Sequence, residues 1–152
     1  MKSKLFLLSL TIIVFIASCA NVPTQVNKTE TTAVESTSIT LTPSLGALIG
    51  QVKSAATGEP IANITVRLAT VHWNENKTDG AFVLEGGTSP GDITSENGVF
   101  EIINLKPADY VIVVGDVIGR HEIISNPDGS AKIFTIEEDM VLEIEPLIVN
   151  LP

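Results

Sequence analysis

The sequence predicts an all-β sandwich, and three observations carry that expectation. Hydrophobic residues make up 44 % of the 152-residue chain but aromatics only 5 %, so a core must come mainly from Val, Ile and Leu, which favour strands. From about Gly46 onward, short apolar runs alternate with turn signals at the spacing of a sandwich. No stretch sustains the 3.6-residue period of an amphipathic helix.

Each run has a local reason. "ALIGQV" (47–52) is the first strand, closed by the turn "SAATGEP". In "IANITVRLATV" (61–71), Ile64, Val66 and Leu68 alternate with Thr65 and Arg67, the pattern of a half-buried strand. Asn97-Gly98 predicts a tight turn between two adjacent strands, because both residues tolerate positive φ. "GVFEII" (98–103) follows, with Phe100 as a large core side chain. Lys106-Pro107-Ala108-Asp109 then turns the chain into "DYVIVVGDVI" (109–118), nearly continuous in Val and Ile as a central strand would be. "AKIFTI" (131–136) and "MVLEIEPLIV" (140–149) complete the set, with Glu143 and Glu145 opposed to Leu142 and Ile144.

Read together, "LIGQV", "TGEPIANITVRL" and "TSENGVFEIINLKPADYVIVV" resemble the carboxypeptidase regulatory-like domain, a transthyretin-like β-sandwich. The residues carrying the resemblance are Gly50, Val52, Thr57, Gly58, Pro60, Ile61, Val66, Thr94, Gly98, Phe100, Leu105, Pro107 and Tyr110, within about residues 46–115. It implies a Greek-key sandwich of about seven strands. Asn63 and Ala108 stand where the family has glycine, which predicts differently shaped turns there. Residues 72–93 form a longer link than the family's, and Asp79-Gly80, Gly86-Gly87 and Pro90-Gly91 predict an extra hairpin with "AFVLE" as one arm. Loops on a rigid scaffold are where binding functions concentrate, so this insertion is the expected distinctive element.

Residues 1–18 read as a signal peptide. Lys2 and Lys4 precede an uncharged run of twelve residues, Leu5 to Ile16, too short for a lasting span of about 20 residues. The run ends Ile16-Ala17-Ser18-Cys19, which resembles the lipobox of bacterial lipoproteins. That resemblance implies diacylglycerol on the sulfur of Cys19, the only cysteine, and cleavage before it. Two or more acyl chains would meet the requirement for stable anchoring. Ala20, rather than Asp, follows Cys19, so the implied destination is the outer membrane if the host has two. Residues 19–45 form the lipidated N-terminus and a tether: Ala20 to Ser44 holds ten Ser or Thr in 25 residues and lacks the apolar surface to offset ordering. A rival reading makes "SITLTP" an added strand. Residues 46–152 are the sandwich domain.

From Cys19 onward seven basic residues face eighteen acidic ones, a formal charge of −11. Nucleic acid and anionic headgroups repel such a chain, so nucleic-acid binding is excluded as its primary role. His72 and His121 lack neighbouring His or Cys, and "RHEI" lacks the second histidine of H-E-x-x-H, so no metal site on histidine is expected. Asp92, Glu96 and Asn97 surround one turn and raise the question of Ca²⁺, without an EF-hand pattern. Lys53 invites comparison with the isopeptide-forming lysine of Cna-type B domains. The segment after Tyr110 carries no acid to shuttle its proton, so no bond is expected. No G-x-S-x-G or phosphate loop is present. The chain therefore reads as no enzyme and as needing no cofactor.

His72, Trp73, Asn74 and Asn76 open the insertion and are the candidate partner contact, suited to a sugar ring or a peptide. The alternative for Trp73 is packing over the rim of the sandwich. The expected function is a membrane-anchored, non-catalytic module with an envelope protein or glycan as partner; the alternative is a small-ligand or transport accessory lipoprotein using residues 72–93.

Overall fold

The computed structural model describes residues 39–116 and 118–151. The segment read as a signal peptide, Cys19 and most of the stretch read as a tether lie outside the described residues. Residues 39–44, the end of the stretch read as tether, form no strand and are bonded to the domain: the Thr42 hydroxyl donates to Asn104 Oδ1 at 2.8 Å, and the Ser44 N–H to Asp139 Oδ1 at 2.9 Å.

Ten short strands fill seven strand positions. They are β1 (Gly46–Ser54), β2 (Thr65–Trp73), β3 (Gly80–Val83), β4 (Gly91–Ile93), β5 (Val99–Leu105), β6 (Ala108–Gly115), β7 (His121–Ile123), β8 (Ile133–Ile136), β9 (Val141–Glu143) and β10 (Leu147–Val149). In the four-stranded sheet β1 pairs antiparallel with β5, while its other edge is lined in succession by β9 and β10, both parallel. In the six-stranded sheet β2 pairs with β6; β4 then β3 line the free edge of β2, and β8 then β7 line that of β6. Three edge positions are thus each shared by two short strands, which reconciles ten strands with the seven expected. The break between β9 and β10 falls at Glu145-Pro146, where proline cannot donate to a ladder.

The core lies between the sheets. Leu48, Val52, Phe100, Ile102, Leu147 and Val149 from one sheet meet Val66, Leu68, Tyr110, Ile112, Val114, Phe134 and Ile136 from the other. Gly50 faces Phe100 directly across β1 and β5, and a Cβ there would lie 2.6 Å from the ring; the phenyl ring occupies the space of the missing side chain. A bulge in β5 shifts the register between Leu48↔Ile102 and Gly46↔Leu105, with Asn104 in the left-handed region at φ 59°. The extra residue turns Leu105 into the core, where strict alternation would have placed Asn104.

The turns depart from expectation in instructive ways. Only Gly98 of the Asn97-Gly98 pair takes positive φ, at 72°. The Gly98 N–H donates to the Ser95 carbonyl, and the Ser95 N–H to that of Val99. This turn links β4 and β5, which belong to different sheets rather than forming an adjacent pair. Gly98 is also a point of close approach: a Cβ would fall 2.6 Å from the Val52 carbonyl oxygen. Asn63 sits at φ 56°, so it adopts the left-handed conformation that glycine would supply. Ala108 lies within β6 without positive φ, so its turn does not require glycine.

Two buried polar side chains brace these loops. The Thr94 hydroxyl donates to the Ile61 carbonyl at 2.7 Å and accepts the Ile64 N–H at 3.0 Å, tying the β1–β2 connection to the end of β4. The Tyr110 hydroxyl donates to the Lys106 carbonyl at 2.8 Å, closing the β5–β6 turn, and burial pushes its pKa up.

Candidate functional site

The insertion does two things that its sequence does not announce. It carries β2 past the end of its pairing with β6 at Thr70↔Tyr110, and Val71, His72 and Trp73 pair with Phe82, Ala81 and Gly80 of β3. It also covers the outer face of the six-stranded sheet. Ala69, Val111 and Val113 project from that face, away from the core, yet are at most 4 % exposed. Phe82 and Leu84 share a cavity of about 140 Å³ with Val113, His121 and Ile123, so the chain leaving β3 folds back across the sheet. The Arg67 guanidinium donates to the Gly86 carbonyl and holds that loop down. The centre of β6 is therefore buried on both faces, which accounts for its continuous Val/Ile run.

Trp73 lies at the end of this covered face. The benzo edge of its indole rests on Gly80, where a Cβ would come within 2.8 Å of Trp73 Cε3. On the opposite side the indole N–H donates to Asp109 Oδ2 at 2.7 Å, and Asp109 Oδ1 accepts the Thr135 hydroxyl at 2.6 Å. The ring thus spans from β3 to β6. The hydrogen bonds from Thr135 and Trp73 hold the Asp109 carboxyl below its usual pKa, with a smaller contribution from the charge of Lys77 and against slight desolvation.

The four residues expected to form a contact do not form one surface. His72 and Trp73 are consecutive in β2 and point to opposite faces of the sheet. Asn74 belongs to the hairpin turn: its Oδ1 accepts the Thr78 N–H at 2.9 Å and its Nδ2 donates to the Thr78 hydroxyl at 3.1 Å. Asn76 is exposed at the turn. Trp73 alone joins a larger group, and its neighbours are Gly80, Phe82, Asp109 and Thr135. The β2–β3 register brings Gly80 and Phe82 to Trp73, with "AFVLE" as its sequence signal, and the β2–β6 and β6–β8 pairings bring Asp109 and Thr135.

Asp92, Glu96 and Asn97 do not converge on a cation. Both Asp92 oxygens accept backbone N–H groups, Oδ1 from Ile93 at 2.8 Å and Oδ2 from Glu101 at 2.8 Å. Among the described residues no group of three or more His, Cys, Asp or Glu could hold a metal ion, and no helix is long and apolar enough to cross a membrane.

No family model matches the chain, and no curated protein matches it. Among solved structures it is similar to the major pilin subunit BcpA of Bacillus cereus, at 16 % identity over 70 % of this chain and 30 % of that one, with a TM-score of 0.42. A DUF3823 family protein from Bacteroides uniformis is similar at 20 % identity over 68 % of this chain and 42 % of its own, TM-score 0.40. Catechol 1,2-dioxygenase from Pseudomonas arvilla is similar at 15 % identity over 72 % and 53 %, TM-score 0.37. The chain spans less than two thirds of the length of each. Likenesses of this degree assign no activity.

Proposed function

We propose that this chain is an extracytoplasmic lipoprotein, anchored to the membrane through Cys19, whose sandwich is a non-catalytic structural or binding module for an envelope protein or glycan. The observation that carries the reading is Cys19, set two small residues, Ala17 and Ser18, after a twelve-residue apolar run that ends at Ile16. The use of the polar side chains supports the non-catalytic half. Asp92, Thr94 and Tyr110 are each committed to hydrogen bonds with backbone groups of the scaffold.

Detergent-phase partitioning tests the anchor. The processed protein is expected in the detergent phase and Cys19→Ala in the aqueous phase with the sandwich still folded; equal partitioning of the two sinks the reading. Crosslinked capture from intact membranes then tests for an envelope partner.

One observation favours the small-ligand alternative. A depression of about 240 Å³ is lined by Thr65, Arg67, Ser89, Gly91, Asp92 and Ile93, four of them from residues 72–93. Thermal stabilisation of the full chain by a small polar metabolite, lost in Arg67→Ala, would select this reading.

A further inference from the structure

We infer that the outer face of the six-stranded sheet, at its β3 end, is a platform for a neutral polysaccharide, with Trp73 and Phe82 as its stacking surfaces. The inference rests on the binding-module reading and names the partner class. Trp73↔Gly80 and Val71↔Phe82 are successive pairs on one face of the hairpin, so the two aromatic residues hold diagonal positions on one face of β2 and β3. They are 38 % and 41 % exposed. The indole is held from one side by Gly80 and from the other by Asp109, leaving its remaining surface to solvent with its orientation already set. A ring locked in this way loses little freedom when something stacks on it.

The chemistry selects a sugar. The face of an aromatic ring is electron-rich, and the C–H groups lining one side of a pyranose carry partial positive charge. Asp109 and Thr135 beside the indole supply acceptor and hydroxyl groups at the rim. A stable protein partner needs roughly 800 Å² from each side. Here the apolar centre of the face, Ala69, Val111 and Val113, is already covered; beyond the two rings, Ile133, at 38 %, is the exposed large apolar residue on this face among the neighbouring described positions, since Val83 in β3 points to the other face. The domain from residue 46 carries sixteen acidic residues against six basic ones, which disfavours uronate- or phosphate-bearing glycans and leaves neutral ones.

The full chain in detergent is titrated with cellohexaose, maltohexaose, mannohexaose and chitohexaose, reading the emission of its single tryptophan and confirming by calorimetry. At least one is expected to bind saturably. Phe82→Ala should weaken it about tenfold, and Phe82→Leu, which keeps the apolar cover over Val113 but loses the aromatic face, should weaken it as much; Trp73→Phe, which keeps a ring, should weaken it less than Trp73→Ala. Several results would overturn the proposal: no hexasaccharide bound at millimolar concentration, binding unaffected by Phe82→Ala and Trp73→Ala, or polygalacturonate bound as well as the neutral sugars. A lysine-rich peptide displacing all sugars from the face would also overturn it and make the partner a peptide, leaving the module reading intact. Loss of detergent partitioning, by contrast, bears on the anchor alone.

Discussion

The Asp92 carboxylate on β4 accepts the backbone N–H of Glu101 on β5 at 2.8 Å, so a side chain of the six-stranded sheet caps the free edge of the four-stranded one. That edge would otherwise present unpaired N–H groups to solvent or to another chain. Asp92→Ala removes the cap and is expected to cost about 1–2 kcal/mol, measured by urea denaturation. Asp92→Asn keeps an acceptor and should cost less. Faster hydrogen exchange at the Glu101 amide in the alanine variant, and not in the asparagine one, localises the effect; equal exchange in both would discount the cap.

Thr94 holds two backbone groups in a buried place. Thr94→Val preserves shape but leaves the Ile61 carbonyl and the Ile64 N–H without their partner. A loss of about 2 kcal/mol is expected, whereas Thr94→Ser, which retains the hydroxyl, should lose less than half of that. Indistinguishable midpoints for valine and serine would show that packing, not hydrogen bonding, matters at this position.

Gly98 and Gly129 separate conformation from space. Both have positive φ, 72° and 86°, but a Cβ at Gly129 meets nothing within 4 Å while one at Gly98 meets the Val52 carbonyl oxygen at 2.6 Å. Gly129→Ala should therefore cost about 1–2 kcal/mol, the left-handed penalty alone. Gly98→Ala should cost clearly more, because the β1 backbone must move. Equal losses in thermal or chemical denaturation would contradict this account.

The Trp73–Asp109–Thr135 group links stability to pH in one direction. Asp109 has its carboxyl pKa lowered in the folded protein, so the ionised form is favoured by folding. Its contribution is present above the ordinary carboxylate range, about pH 3.9, and is lost as pH falls through the folded value. Trp73 emission should shift on acidification below about pH 4, before global unfolding, and Asp109→Ala should show the acid-form emission at neutral pH. Because the site is largely exposed, the loss on Asp109→Ala should be small, about 1 kcal/mol. An emission profile identical in the variant and the wild type would rule out the latch.

Much of the fold was legible because its signals are local. Alternation in residues 64–68, the unbroken Val/Ile run of β6 and the turn residues between them place the main strands to within a few positions. The candidate contact was less legible. His72, Trp73, Asn74 and Asn76 are adjacent in sequence, but alternation in a strand sends the first two to opposite faces, and Asn74 is consumed by its own turn. Phe82, Asp109 and Thr135, which do surround Trp73, are separated from it by nine, thirty-six and sixty-two positions, and no short-range pattern links them.

Composition, periodicity and turn chemistry by themselves determined an all-β sandwich with a Val/Ile/Leu core, because side-chain alternation and left-handed turn positions are properties of a few consecutive residues. The case for a lipid anchor at Cys19 is likewise local, but it rests on the resemblance of Ile16-Ala17-Ser18-Cys19 to a lipobox. Only the tertiary structure decided what the 72–93 insertion does. Strand register lays it along β2 and folds Phe82 and Leu84 over the outer face. Covering Val113 and locking the Trp73 ring are consequences of which strands become neighbours, and that is settled by the packing of the whole domain.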